Sequence, residues 1–183
     1  MKKNKILIAF LVAFFGVDAF LGWWFASYYM PKFAPSDDHV TVVDRIVVEK
    51  AIRKMTLYDK NNVVAVYDIG LGFNPVGHKE QEGDGKTPEG NYSIVAKNDK
   101  SKYHLSLKIS YPDQQDVLNA RRKQLNPGGD IMIHGYPNAV PVWLGNLLLK
   151  NKDWTQGCIA ISNEEIEKLW SYVRIGTTVD ILP

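Results

Sequence analysis

The stretch Trp154–Ile161, WTQGCIAI, contains the single cysteine of this 183-residue chain. Cys158 directly follows Gly157 and directly precedes an apolar run. In a protein exported to an oxidising compartment, an unpaired cysteine indicates a reactive thiol or an intermolecular disulfide. Free cysteine is also among the most buried residue types, so a purely structural role is the alternative. Taken alone, the stretch favours neither interpretation.

The chain length suits one globular domain with an appendage. With 45% hydrophobic and 23% charged residues, the composition excludes a disordered chain and a wholly membrane-embedded one. The net charge of +2 arises in the first thirty residues, which carry three lysines and one aspartate, so the remainder is neutral overall. A neutral domain gives no electrostatic reason to expect a nucleic-acid partner.

The N-terminus is typical of a protein sent to or through a membrane. Three lysines within residues 1–5 precede an apolar run over 6–29, interrupted by Asp18. The run exceeds the roughly 20 residues needed to cross a bilayer, and no A-x-A cleavage site follows it. Four aromatic residues cluster at its far end, as in an interfacial belt: Trp23, Trp24, Tyr28 and Tyr29. We therefore expect a transmembrane signal anchor over 6–29, with a signal peptide that is cleaved after export as the alternative.

The basic N-terminus favours a cytoplasmic start, which would place the rest of the chain outside the cytoplasmic membrane. Residues 30–43 contain prolines, a serine and aspartates with little periodicity, and they predict a linker. The expected organisation is a cytoplasmic n-region (1–5), an anchor (6–29), a linker (30–43) and one extracytoplasmic domain (44–183). Asp18 opposes membrane insertion, and nothing in the sequence explains it.

Alternating or β-branched segments dominate the domain and predict strands joined by turns. The predicted strands are 45–50, 54–58, 63–71, 91–96, 103–109, 131–133 and 178–182, with a hairpin turn at 59–62. Ser162 and Glu165 fit a capping box that begins a helix through Val173, and Gly176 is expected to end it. The apolar segment 136–150 is either a lid or a packed short helix.

Residues 83–90, GDGKTPEG, form a glycine-rich loop with one lysine, which raises the question of phosphate binding. The P-loop spacing fails because Glu80 stands where its first glycine would be, and a predicted strand follows instead of a helix. A structured turn beside a functional site is the better interpretation.

The short apolar strand 131–133 leads directly into His134-Gly135. This placement suits chemistry, because the strand fixes the backbone and the glycine allows close approach of another group. A core histidine bonded to a nearby carbonyl is the structural alternative. Among the other histidines, His39 and His78 are expected in solvent, whereas His104 faces either a site or water.

Cys158 and His134 form the best candidate catalytic pair. A thiol near its ordinary pKa of about 8.5 supplies little thiolate at neutral pH, so a histidine must take the proton. A third group must hold that histidine in one tautomer, and the Gly135 carbonyl could do so. Backbone N–H groups around Gly157-Cys158 could form an oxyanion hole. A zinc site is not expected, because one cysteine and four scattered histidines match no ligand spacing.

His134-Gly135 followed by TQGCI at 155–159 resembles the signature of the bacterial L,D-transpeptidases, the YkuD-type catalytic domain, and loop 83–90 is similar to that family's characteristic loop. The resemblance covers residues 44–183. It implies a mostly β, α+β fold of sandwich or barrel type with a few short helices. It also implies that Cys158 is the nucleophile and that His134 is the proton donor and acceptor. The Gly135 backbone would hold the imidazole.

The resemblance further implies a peptidoglycan stem peptide as substrate, cleaved after the L-centre of an L,D bond. The acyl group would then pass to an amine on another stem, without a cofactor or metal. Residues expected to support the nucleophile are Thr155, Gln156 and Gly157. Candidate substrate contacts are His104, Tyr136 and Trp154. Hydrolysis by the same site and a non-catalytic wall-binding module are the alternatives.

Three features depart from the family pattern. Gln156 stands where a histidine often precedes Gly-Cys, and Ala160 stands where an arginine commonly follows the nucleophile. The 24 positions between His134 and Cys158 are somewhat more than usual. The first two departures put the contacts to the substrate carboxylate and the donor specificity in question. They do not affect the Cys–His pair.

Overall fold

The structure is a computed structural model, and it describes residues 42–183. The predicted n-region (1–5), anchor (6–29) and all but the end of the linker (30–43) lie outside the described residues. Between residues 42 and 183, no helix is long and apolar enough to cross a membrane. The predictions of an anchor and of an extracytoplasmic location therefore stay predictions.

Eight strands and three short helices make up the described part of the chain. The strands are β1 (Val43–Glu49), β2 (Lys54–Asp59), β3 (Asn62–Asp68), β4 (Gly90–Ser101), β5 (His104–Ile109), β6 (Met132–His134), β7 (Ile159–Ala160) and β8 (Val173–Leu182). The helices are α1 (Gln114–Arg122), α2 (Val142–Leu148) and α3 (Asn163–Tyr172). This composition confirms the expected mostly β fold with a few short helices.

The strands join into one curled sheet of order β3-β2-β1-β8-β4-β5-β6-β7. Most neighbours are antiparallel, but β1 pairs with β8 and β6 pairs with β7 in parallel. The long strand β4 connects the two halves, since it pairs with β8 near its start and with β5 further along. The expected sandwich or barrel is thus built as a single continuous sheet rather than as two separate ones.

Side chains from most of the strands and from α3 form one hydrophobic core. Ile46 and Val48 of β1 are fully buried, as are Leu107 of β5 and Ile133 of β6. Each such side chain contributes about 1.5–3 kcal/mol when it is removed from water. Helix α3 packs against β5 and β6. The strand that carries His134 is therefore held by packing on a rigid scaffold.

Helix α3 begins with the predicted capping box. The Ser162 side chain accepts from the Glu165 N–H, and the Glu165 carboxylate accepts from the Ser162 N–H. The predicted end of the helix is wrong, because α3 ends at Tyr172 and β8 begins at once with Val173 in an extended conformation. Valine is β-branched and favours strands, so helical spacing of apolar residues misled the prediction. Gly176 lies inside β8.

Candidate active site

The parallel pairing of β6 with β7 brings the candidate catalytic residues to one face of the sheet. His134 pairs with Ala160, and Ile133 pairs with Ile159. Cys158 immediately precedes β7 and lies two positions before Ala160, so its side chain points to the same face as that of His134. The two residues are diagonal neighbours on adjacent strands, with Cα atoms about 8 Å apart in such a register.

His134 is fixed in one tautomer by its neighbour, and its role as a base stays a prediction. Its Nδ1 lies 2.7 Å from the Gly135 carbonyl oxygen, which can only accept, so Nδ1 carries the proton and Nε2 keeps a free lone pair. The side chain is buried, with 3% of its surface exposed. Burial lowers the pKa of His134, and the bond to Gly135 opposes that change only in part. The imidazole is therefore neutral at pH 7 and able to accept a proton.

Two aromatic rings cover the imidazole. The Tyr103 ring lies 4.5 Å from the His134 ring, centroid to centroid, at an interplanar angle of 35°. The Trp154 ring lies 5.7 Å away in an edge-on arrangement. These rings exclude water from His134 and so account for much of its burial. Sequence reasoning missed Tyr103 as a neighbour of His134, although it was the first residue of the predicted strand 103–109.

The Cys158 thiol is half-buried at the same face. Its Sγ lies 3.6 Å from the Asp130 carbonyl oxygen. Burial raises the pKa of the thiol above its ordinary value, and the nearby carboxylate of Asp130 raises it further. A hydrogen bond from the Met132 backbone opposes this shift. The Cys158 thiol and the His134 imidazole are thus both uncharged at neutral pH.

A buried threonine shapes the turn that leads into Cys158. The Thr155 hydroxyl donates to the Cys158 carbonyl at 2.7 Å and accepts from the Gly157 N–H at 3.1 Å. Thr155 therefore holds this turn together, and its support of a nucleophile stays a prediction. Because the Gly157 N–H already has this partner, the expectation that it binds an oxyanion is not supported by the geometry. The N–H of Cys158 is the remaining candidate donor.

Loop 83–90 packs directly against Gly157, next to Cys158. A Cβ placed on Gly157 would lie 2.6 Å from the Lys86 carbonyl oxygen, so the two backbones are in contact. The Thr87 hydroxyl accepts from the Gly72 N–H at 3.1 Å. Gly72 is in turn bridged to Thr155. The loop is therefore a structured turn packed next to Cys158, and the functional role of this region stays a prediction.

Asp84 organises that loop from inside. One carboxylate oxygen accepts from Lys79 Nζ at 2.8 Å, and the other accepts from the N–H groups of Glu80 and Gln81. Burial alone would raise the pKa of Asp84, but the ammonium of Lys79 and these N–H groups outweigh it and lower the pKa to about 2. The loop is therefore held by a largely buried carboxylate that has several partners.

The remaining predicted residues lie in varied surroundings. Gln156 is exposed beside the nucleophile. Trp154 contacts the imidazole, which is compatible with a substrate contact. His104 pairs with Glu167 at 2.7 Å, on the side of β5 that faces α3. Tyr136 is 1% exposed and packs against Gly145 of α2, where it has no surface to offer a substrate. The structure thus gives no support to His104 or Tyr136 as substrate contacts.

His78 is not a solvated loop residue, contrary to expectation. Its Nε2 lies 3.2 Å from Asp116, and its Nδ1 accepts from the Glu89 N–H at 3.0 Å. The hydrogen bond to Asp116 raises the pKa of His78, although burial opposes it. Both ring nitrogens have hydrogen-bond partners, so this histidine ties the loop to α1.

Within residues 42–183, no three His, Cys, Asp or Glu side chains are grouped so as to hold a metal ion.

A family model of the L,D-transpeptidase catalytic domain, YkuD, matches residues 43–181. The chain belongs to this family. The match includes the β6–β7 pair, loop 83–90 and the Gly157-Cys158 turn, so the YkuD domain supplies the frame in which these features are arranged.

Individual relatives of this YkuD domain are distant. YafK of Escherichia coli K12, provisionally named an L,D-transpeptidase, is 27% identical over 134 residues, which cover 70% of this chain and 46% of YafK. The structure of Pgp2 from Campylobacter jejuni, a helical cell shape determining protein, aligns with a TM-score of 0.57 at 25% identity. That alignment covers 80% of this chain and 51% of Pgp2. Bd1075 of Bdellovibrio bacteriovorus shares the fold, with a TM-score of 0.53 at 24% identity over 78% of this chain and 51% of Bd1075. The chain spans about half the length of these relatives.

Proposed function

We propose that this YkuD domain is a peptidoglycan L,D-transpeptidase that uses Cys158 as its nucleophile. One observation carries the proposal: a half-buried thiol and a neutral, tautomer-fixed imidazole lie on the same face of the paired strands β6 and β7. A thiol beside such a base is equipped for acyl transfer. The family's substrate class, a stem peptide with an L,D bond, supplies the acyl group.

In the first half-reaction, the Cys158 thiol leaves the Asp130 carbonyl and gives its proton to His134 Nε2. The sulfur attacks the carbonyl carbon of the L,D bond, and the N–H of Cys158 stabilises the oxyanion that forms. The C–N bond then breaks, and His134 returns the proton to the departing amine of the terminal D-residue. The product is a thioester on Cys158.

In the second half-reaction, an acceptor amine attacks the thioester and loses a proton to His134 Nε2. The C–S bond breaks, and the proton passes from His134 to the leaving sulfur. A new amide joins donor and acceptor, and the neutral pair is restored. Throughout, the bond from Nδ1 to the Gly135 carbonyl keeps Nε2 as the reacting nitrogen.

A cysteine peptidase with water as the acceptor is the second candidate. The observation in its favour is that Gln156 and Ala160 occupy positions where the family commonly has histidine and arginine. Ala160 is buried in the β6–β7 ladder, so this position presents no cation to a substrate carboxylate. The substrate contacts at these two positions therefore differ from the family pattern while the Cys–His pair is kept. Such a difference is compatible with water, rather than an amine, as the acceptor. The third candidate function is a non-catalytic wall-binding module. This candidate requires that Cys158 be unreactive.

Incubation of the full chain with disaccharide-tetrapeptide and a free D-amino acid separates these candidates. Transfer yields a stem in which the terminal D-residue has been exchanged, whereas hydrolysis yields only the shortened stem. A Cys158→Ala variant is the matched control and should give neither product. If wild-type protein forms no product while a thiol reagent still modifies Cys158, the substrate class is wrong.

We also propose that residues 6–29 anchor the protein in the cytoplasmic membrane with the YkuD domain outside. The length, flanking lysines and aromatic cluster of that segment support the proposal. Because Pgp2 is named as a determinant of helical cell shape, a contribution to cell shape is proposed as well. Fractionation of cells, with protease added to spheroplasts, tests the anchor: a soluble or protected domain would contradict it.

A further inference from the structure

We propose that Asn163 is a positioning residue for the Cys158–His134 pair, and that it acts through the peptide unit between Gly135 and Tyr136. The inference deepens the proposed function, on which its effect on turnover rests. The observation behind it is that one rigid peptide plane is held at both ends, at one end by the catalytic imidazole and at the other by the Asn163 side chain.

The carbonyl of this peptide belongs to Gly135 and accepts from His134 Nδ1 at 2.7 Å. Its N–H belongs to Tyr136 and donates to Asn163 Oδ1 at 2.8 Å. Because a peptide unit is planar, the direction of its N–H fixes the direction of its carbonyl. The Asn163 amide therefore sets where the carbonyl points and hence which nitrogen of His134 keeps the proton. Hydrogen bonds in series also polarise one another, which makes this carbonyl a better acceptor.

Gly135 is required because Asn163 approaches it so closely. A Cβ at Gly135 would lie 2.6 Å from Asn163 Oδ1 and 3.1 Å from the His104 Cβ. The Gly135 N–H donates to the Tyr103 and Leu105 carbonyls, at 3.1 and 3.3 Å. The glycine after the catalytic histidine thus gives the Asn163 side chain room to reach the next N–H.

The segment that carries the nucleophile also carries Asn163. Cys158 leads into β7, and five positions later Asn163 is the first residue of α3. Between them, the Ile161 N–H donates to the His134 carbonyl at 3.0 Å, and the Ser162 capping box fixes the start of the helix. Movement of this segment would shift the nucleophile and the support of the base together.

Loss of the Asn163 oxygen would free the 135–136 peptide to rotate. The Nδ1–H of His134 would then lose its acceptor, and the tautomer with the proton on Nε2 would become populated. That tautomer cannot accept the Cys158 proton at Nε2. We expect a fall in the acylation rate of about 10- to 100-fold, the size of loss that a small misplacement of a reacting group produces.

Three variants of the full chain separate positioning from a merely structural role. Asn163→Leu keeps the shape but removes the acceptor, whereas Asn163→Asp restores an oxygen in the same place. Ser162→Ala weakens the cap of α3 and leaves the Tyr136 N–H bond intact. The readouts are the ¹⁵N shifts of the His134 ring, assigned with a His134→Gln variant, and the rate of acyl-enzyme formation.

In wild-type protein, the ¹⁵N shifts should show the proton on Nδ1. Asn163→Leu should move His134 toward the other tautomer and slow acylation, Asn163→Asp should restore both, and Ser162→Ala should lower the melting temperature without altering the tautomer. A wild-type proton on Nε2 would overturn the inference even if Asn163→Leu failed to fold. The inference would also be overturned if Asn163→Leu kept the wild-type tautomer of His134 and the wild-type acylation rate. If the wild type forms no acyl-enzyme but the tautomer shifts as stated, the proposed function fails and the positioning role stands.

Discussion

The Thr155 hydroxyl donates a 2.7 Å hydrogen bond to the carbonyl oxygen of Cys158 while it accepts from the Gly157 N–H. The Thr155 backbone is itself tied to Leu71, whose carbonyl accepts from the Thr155 N–H at 3.1 Å. The backbone of Cys158 is thus set by one buried side chain rather than by a long strand, since β7 has only two residues. This explains how the backbone of Cys158 is fixed although the strand that follows it is short.

Replacement of Thr155 by valine should destabilise the protein. Valine has nearly the same shape but leaves the buried Gly157 N–H without a partner, which costs about 1–3 kcal/mol. The Thr155→Ser variant keeps the hydroxyl and should lose much less stability. Thermal unfolding followed by circular dichroism measures the difference. Equal melting temperatures for the valine and serine variants would show that the hydroxyl has no role in the turn.

Replacement of Gly157 by alanine should displace loop 83–90 from the nucleophile. Gly157 has a φ of +128°, and the new Cβ would meet the Lys86 carbonyl at 2.6 Å. We expect both lower stability and slower acylation of Cys158. The matched control is Gly83→Ala, where φ is also positive but no atom lies within 4 Å of the new Cβ. A Gly157→Ala variant as active as Gly83→Ala would contradict the contact.

Neutralisation of Asp84 should destabilise the loop in a pH-dependent way. Its pKa falls from an ordinary 3.8 to about 2 in the folded protein, so its stabilisation is present above 3.8 and is lost as the pH falls toward 2. Asp84→Asn should cost about 2 kcal/mol at neutral pH, and the gap to wild type should close in acid.

The control for Asp84 is Glu80→Gln, which removes the exposed pair with Lys123. Exposed ion pairs contribute little, so this variant should unfold like wild type. Denaturant titrations at several pH values provide the comparison. If the loss of stability in Asp84→Asn did not change with pH, the effect would arise from packing rather than from charge.

The alkylation rate of Cys158 should rise with pH through a thiol pKa above its ordinary value, because burial raises that pKa. Burial also lowers the pKa of His134, so no imidazolium is present at neutral pH to hold a thiolate. His134→Gln should leave this alkylation profile nearly unchanged, although it abolishes acylation by substrate. Iodoacetamide labelling measured by mass gives the profile. A plateau that begins near pH 6 would show a preformed thiolate–imidazolium pair instead.

Much of the fold followed from local pattern. Alternation along 103–109 predicted β5, and the Ser162–Glu165 capping box predicted the start of α3, because each signal lies within a few residues of its effect. The end of α3 was missed because Val173 fits both a helical stripe and a strand. Only its pairing with β1 in the folded sheet decides between the two.

The reacting pair of the candidate site was visible in the sequence, whereas most of its support was not. Cys158 and His134 stood out as residue types capable of chemistry. Tyr103 and Asn163 act through a ring contact and a peptide unit formed between distant strands and helices, which spacing along the chain does not encode. His78 was placed in solvent because its partner Asp116 lies 38 positions away, on α1.

The most direct test is the intact mass of the full chain after incubation with disaccharide-tetrapeptide. The transpeptidase proposal predicts a mass increase equal to the donor less its terminal D-residue, located on Cys158, with that residue released in equal amount. The Cys158→Ala variant should show no increase. The proposal would be contradicted if the Cys158→Ala variant released the D-residue. It would also be contradicted if the wild-type chain stayed unmodified while its thiol still reacted with iodoacetamide.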